Sequence, residues 1–370
     1  MKKLKFFGAL AISAVVMSGC GTAEGASVAQ AGAGTGVPAS VKDLAAAAGQ
    51  PQSWQGPKTS PPMAKNKFVV SIPCSMASGC APWDAGVHAA GDALGWKVQT
   101  IDPAFDPAKM NQAIQQAIDL HADAIVTWVV DPTLVASSIA AARAKGIVVV
   151  SGATAREDGP VTATGPQHGV SLHGVTQGQW VAAQVCTDIN AEGQVQMITD
   201  PSYEILTQRV NAVKDYLSKN CPKVALKVQQ VSANDIGTVL QNKVSAFVQT
   251  NPDTKGLIIP ADVFTTDAVV ALQQLGNQNV KIYSIDGDLP SVQVIATGGA
   301  VRATVGSALE WAGWATMDNV NRLVEGQPAN GDDGVPGRML TKDDLPQGLT
   351  YKGDLDYKAM YTKLWKTGSL

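Results

Sequence analysis

The chain has 370 residues, 45% apolar and 16% charged, with a formal net charge of −3. That length suffices for two domains of ordinary size even after a leader is removed. No dense Lys/Arg run occurs, so nucleic-acid binding has no electrostatic support.

The first twenty residues read as a leader. Lys2, Lys3 and Lys5 precede an apolar run from Phe6 to Val16, closed by Met17-Ser18-Gly19-Cys20. This is the pattern of a bacterial lipoprotein signal (1–20), cut before Cys20, whose thiol and new amino end are then acylated. Met17 stands where leucine is usual in such signals, and an ordinary secretory peptide is the simpler alternative. The run is shorter than the ~20 residues a spanning helix needs. The mature chain is therefore expected outside the cytoplasm, lipid-anchored at a cell-surface or periplasmic membrane face. Residues 21–65, rich in Ala, Gly, Ser and Pro, read as a flexible tether, with Trp54 and Pro61-Pro62 marking where docking begins. Gly32, Gly34 and Gly36 follow no strand, so they do not make a phosphate loop.

From residue 68 strands and helices alternate. Apolar strands are expected at 68–73, 97–101, 124–130 and 147–150, with helices at 85–94, 107–118 and 133–144. Asp106 caps the second helix, with Pro107 at its first position. Met110, Ala113, Ile114, Ala117 and Ile118 form its apolar stripe. A second run begins near Gly174, with strands at 194–198, 224–231, 256–259 and 280–285 separated by helices. The fold class is thus α/β, with two doubly wound parallel sheets and a cleft between similar lobes. Ligands of such sheets sit beyond the carboxyl ends of the strands.

With Cys20 acylated, Cys74, Cys80, Cys186 and Cys221 remain, and an oxidising compartment favours their pairing. The helices ending near Cys186 and Cys221 both finish at the bottom of the second sheet, which pairs these two. Cys74 closes the first strand and Cys80 follows in the next loop, so that bridge stiffens the cleft rim. No C-x-x-C zinc pattern occurs. His168 and His173 are too isolated for a metal pair. No G-x-S-x-G elbow, Walker loop or H-E-x-x-H is present. No enzyme, cofactor or metal is expected; a carboxylate-dependent glycosidase is the distant alternative.

The run 68–84, the segment Ala90-Gly91-Asp92-Ala93-Leu94-Gly95-Trp96 and Asp131-Pro132 resemble the N-terminal lobe of type I periplasmic binding proteins, the ribose-, galactose- and xylose-binding kind. Ala261-Asp262, Ser284-Ile285-Asp286-Gly287 and Leu340-Thr341-Lys342-Asp343-Asp344-Leu345-Pro346 extend the resemblance over residues 66–368. It implies lobes at 66–171 plus 308–330 and at 172–307 plus 331–370, with crossings near 172, 307 and 332. It also implies a monomer that captures a small solute by hinge closure and delivers it to an ABC permease in the cytoplasmic membrane. A sensor feeding a membrane signalling protein is the alternative.

Carried over residue by residue, the resemblance makes Trp83 an aromatic platform for the solute, with Asp84 beside it. It places Asp131 after the third strand, Arg209 in the first helix of the second lobe, where the family's arginine grips ligand hydroxyls, and Asp286 at a strand end. Asp262 opens a helix there, Ser307 stands near a crossing, and Glu310 and Trp311 follow it. Bland readings compete: Asp262 as a helix cap, Asp286 as a turn brace, Arg209 in a surface ion pair, and Trp128, Trp180 and Trp314 as core. Ser151-Gly152-Ala153-Thr154 replaces an Asp-Arg pair common in sugar binders, and Ala261 replaces an Asn. A sugar or polyol is the default solute, and a less hydroxylated or aromatic one is the competitor.

Overall fold

The computed structural model describes residues 36–76, 79–154 and 162–370. The leader with Cys20, and the tether up to residue 35, lie outside the described residues. Helix α1 (Ala39–Ala48) comes first. Then come β1 (Phe68–Ile72), α2 (Ala81–Leu94), β2 (Lys97–Thr100), α3 (Pro107–Asp119), β3 (Ala124–Trp128), α4 (Ala136–Ala144), β4 (Val148–Gly152) and β5 (His168–Val170). These strands form an all-parallel sheet in the order β2-β1-β3-β4-β5. Both β3 and β4 are buried along their whole length, which is why they read as unbroken apolar runs. The Asp106 carboxylate accepts from the amides of Ala108 and Lys109, and the stripe from Met110 to Ile118 is buried against the sheet.

The second lobe contains α5 (Gly174–Asp188), β6 (Gly193–Thr199), α6 (Glu204–Asn220), β7 (Val224–Gln230), α7 (Thr238–Gln249), β8 (Thr254–Ile259), α8 (Thr265–Gln274), β9 (Lys281–Asp286), α9 (Leu289–Ala296) and β10 (Val301–Ser307). The chain then forms α10 (Leu309–Val324), β11 (Gly337–Thr341) and α11 (Tyr357–Thr367). The second sheet runs β11-β10-β9-β8-β6-β7, parallel except for the antiparallel edge strand β11. Each sheet is covered on both faces, and the first lobe's cores lie under α2 and α10 on one side and α3 and α4 on the other. Cys74–Cys80 and Cys186–Cys221 are both bridged, with Cα separations of 5.9 and 6.5 Å.

Two boundaries differ from the sequence reading. Residues 36–65 are not a free tether. Helix α1 packs on α5 and β11, burying Val41 and Ala48 in the second lobe's core. The chain after it docks on the first lobe. Trp54 stacks on Trp311 at 5.3 Å, Ser60 Oγ donates to Asp318 Oδ1 at 2.7 Å, and the Ala64 amide donates to Asn321 Oδ1 at 2.9 Å. Trp54 docks as the sequence suggests, whereas small-residue composition hid α1 and the anchors at Ser60 and Ala64. The C-terminal end also departs from the expected 331–370 assignment. Tyr357, Tyr361, Leu364 and Trp365 of α11 join the first lobe's core beside α2 and α10. Their aromatic bulk needs an apolar wall, and Trp314 supplies one, stacked on Trp365 at 5.2 Å.

Candidate functional site

The carboxyl ends of both sheets face one cavity. From the first lobe it takes the Cys74–Cys80 loop, Phe105 after β2, Trp128 and Val129 at the end of β3, and Ala153 after β4. From the second it takes Tyr203, Leu206 and Arg209 around the start of α6, Phe264 after β8, and Asp286 at the end of β9. About 80 Å³ of it is open to the centres of water molecules. The lobes meet across it, where Phe105 and Tyr203 pack edge to face with ring centroids 6.4 Å apart. A vestibule adjoins it through Val129, Ala153 and Tyr203, which line both spaces, and adds Asp131, Thr154 and Glu204.

Backbone strain concentrates here. Phe105, Val129, Ala153 and Asp286 have φ of 62°, 55°, 53° and 115°. Positive φ in β-branched Val129 is a real outlier, and such residues cluster where a chain must present groups to a ligand. The conformation is locked by hydrogen bonds from Val129 N to Gly152 O and from Ala153 N to Val170 O, both 3.0 Å. Gly152 has no alternative: a Cβ there would lie 2.2 Å from the Trp128 ring.

Arg209 is only 2% exposed. Its Nε and Nη2 donate to Gln177 Oε1 at 3.0 and 2.7 Å, Nη1 donates to Pro260 O at 2.7 Å, and Nη2 also reaches Asp286 Oδ1 at 2.7 Å. Gln177 in turn donates to Ser307 Oγ at 2.8 Å, tying the arginine to the crossing after β10. Burial pushes the Asp286 carboxyl up, against the pull of the Arg209 charge and hydrogen bond. Asp288, which precedes α9, is pushed up to about 8 by burial and then by the charges of Asp262 and Asp286. A side chain on Gly79 of the first lobe would fall 2.9 Å from Asp288 Oδ2, so the disulfide loop closes directly onto this carboxyl.

The structure brings Arg209 and Asp286 into the cavity and Asp131 into the vestibule, where Asp131 Oδ1 also accepts from Thr133 N and Oγ1 at 2.8 Å. It places the other candidates elsewhere. Trp83 does not line the cavity. It is wholly buried behind Trp128, stacked on it at 5.1 Å, with Nε1 donating to Thr316 Oγ1 at 3.2 Å. The two tryptophans have exchanged roles: Trp83 lies within α2 rather than in a loop, whereas Trp128 ends its strand at the cleft. Asp84 accepts from Ser71 Oγ at 2.6 Å and Thr100 Oγ1 at 2.9 Å, bracing the first lobe. Asp262 accepts from Thr265, Ser291 and Thr304 hydroxyls and from the Asp288 amide, beneath the cavity floor. Glu310 faces outward to Lys352 and Lys358 at 2.9 and 3.3 Å. Trp311 sits between Trp54 and Tyr357 as part of the first lobe's core. Phe105 and Tyr203 escaped the sequence reading, although an aromatic after a strand and before a helix marks both.

His168 Nε2 lies 2.8 Å from Asp333 Oδ2, and among the described residues no group of three or more His, Cys, Asp or Glu is placed to hold a metal. No helix among them is long and apolar enough to cross a membrane.

Residues 68–328 match the family model described as a periplasmic binding protein domain. Solved structures with the same fold include an ABC transporter solute binding protein from Agrobacterium vitis bound with α-D-tagatopyranose. It is 18% identical with a TM-score of 0.71, over 77% of this chain and 99% of that one. Another, from Mycobacterium smegmatis with bound glycerol, is 21% identical with a TM-score of 0.67, over 75% and 95%. A 5-methylthioribose transporter solute binding protein from Thermotoga lettingae, in complex with 5-methylthioribose, is 19% identical with a TM-score of 0.68, over 81% and 99%. The strand order, the interlobe cavity and the match over most of the chain agree, and this chain belongs to the periplasmic binding protein domain family, with the type I fold.

Proposed function

We propose that this protein is the extracytoplasmic receptor of an ABC importer, capturing a small solute by closure of its two lobes and presenting it to a membrane permease. The observation that supports this most is the cavity walled from both lobes, with the buried Arg209–Asp286 pair at its floor. A closed state that gains contacts the open state lacks is what lets a solute drive closure. The described residues of the site are binding groups, and the reading assigns them solute capture. Two disulfides suit an oxidising compartment, and Cys20 is the proposed lipid anchor of a monomeric receptor.

Thermal denaturation of the full chain against sugars, polyols and ring-bearing solutes tests this reading. A solute at a hundred times its Kd stabilises the folded state by ~2.7 kcal/mol, a shift of several degrees. No shift with any solute class contradicts a receptor. Intact-mass measurement tests the anchor, and an unmodified mature Cys20 overturns it.

A further inference from the structure

We infer that the solute is a ring-bearing compound with a single ammonium head, rather than a polyhydroxylated sugar. This deepens the receptor reading and rests on it. Among the described residues lining the cavity, the polar side chains are Tyr203, Arg209 and Asp286, besides the indole of Trp128. The rest is apolar, with Phe105 and Phe264 adding to the aromatic wall. A sugar brings several hydroxyls, and each one left without a partner in an apolar cavity weakens binding. The described residues of this wall offer few such partners.

Arg209 does not change this. Its guanidinium already makes four hydrogen bonds, to Gln177, Pro260 and Asp286, and its charge is taken up by Asp286. An anionic solute therefore finds no free cation at the floor. The charge balance there runs the other way. Asp262 and Asp286 are two carboxyls against the one guanidinium, while Asp288, pushed up to about 8 by burial, is mostly uncharged at neutral pH, and Asp262 is saturated by three hydroxyls and an amide. Burial is the largest cause of the upward shift of both Asp286 and Asp288, and crowding by the Asp262 charge adds to each. An ammonium beside Asp286 relieves that crowding, and the faces of Trp128, Phe105, Tyr203 and Phe264 add cation–π attraction. The vestibule continues the same sign: Asp131 and Glu204 line it, and no described cation does.

Calorimetric titration of the full chain with 2-phenylethylamine, neutral 2-phenylethanol and D-ribose tests the assignment. The amine is expected to bind at least about tenfold tighter than the alcohol, since a charge-assisted hydrogen bond is about twice as strong as a neutral one, with D-ribose weakest. Asp286→Asn keeps the side chain's size and should erase the preference for amine over alcohol. Trp128→Leu should weaken the amine roughly thirtyfold, as loss of an aromatic anchor does; circular dichroism confirms that each variant folds. Equal affinity of amine and alcohol, or tightest binding of D-ribose, overturns the ammonium assignment while the receptor reading stands. Binding of none of the three also overturns it; the receptor reading falls with it only if the wider solute screen finds no ligand either.

Discussion

Arg209 Nη2 lies 2.7 Å from Asp286 Oδ1 at the floor of the interlobe cavity, on a residue whose φ is 115°. The pair is built into the second lobe before any solute arrives, since Gln177 and Pro260 hold the same guanidinium. Arg209 thus secures the geometry of the acceptor. Arg209→Ala leaves a buried carboxylate without its partner, and such a break typically costs ~3–5 kcal/mol. Equilibrium denaturation should show that loss. A variant as stable as the parent means the pair is not structural.

Trp83 and Trp128 separate stability from binding. Trp83→Ala empties a site behind the cavity and should cost about 3–5 kcal/mol in stability. Trp83→Phe should restore most of that and leave solute affinity near the parent value. A Trp83→Phe variant of normal stability but strongly weakened affinity would place the solute against Trp83 after all.

Burial, and then the charges of Asp262 and Asp286, push the Asp288 carboxyl up to about 8 in the folded state from its ordinary 3.8. The folded state therefore binds more protons than the unfolded state between these values. The stabilising contribution of this group then falls as pH rises from about 4 to about 8, at no more than ~1.4 kcal/mol per pH unit, and levels off above that. Asp288→Asn should flatten this decline and raise stability at pH 8. An unchanged pH profile in the variant contradicts the assignment.

The ordered segment before β1 joins the lobes: α1 sits on the second, and Trp54, Ser60 and Ala64 on the first. Trp54→Ala should lower stability by about 3 kcal/mol, the lower end for a large aromatic in a packed setting. Proteolysis should find 49–66 protected in the parent and cut readily in the variant. Equal cleavage in both would return this segment to the status of a tether.

The lobes were legible in the sequence because β3, β4 and the α3 stripe carry strong apolar periodicity, with Asp106-Pro107 marking a helix start. The disulfides followed from topology. The site was half legible. Arg209 and Asp286 were carried over from the family resemblance, and both line the cavity. Trp83 and Trp128 could not be ranked from sequence, because which one faces the cleft depends on where α2 begins and on the absence of a side chain at Gly152. The docking of α1 and α11 was invisible for another reason: their partners are far away in sequence, and an Ala-rich helix looks alike whether free or packed.

Small-angle X-ray scattering of the full chain, with and without the solute found by screening, tests the central claim most directly. Closure of the two lobes around that solute predicts a smaller radius of gyration at saturation, and loss of the change when Trp128→Leu weakens binding. Identical scattering profiles with and without saturating solute would contradict capture by closure.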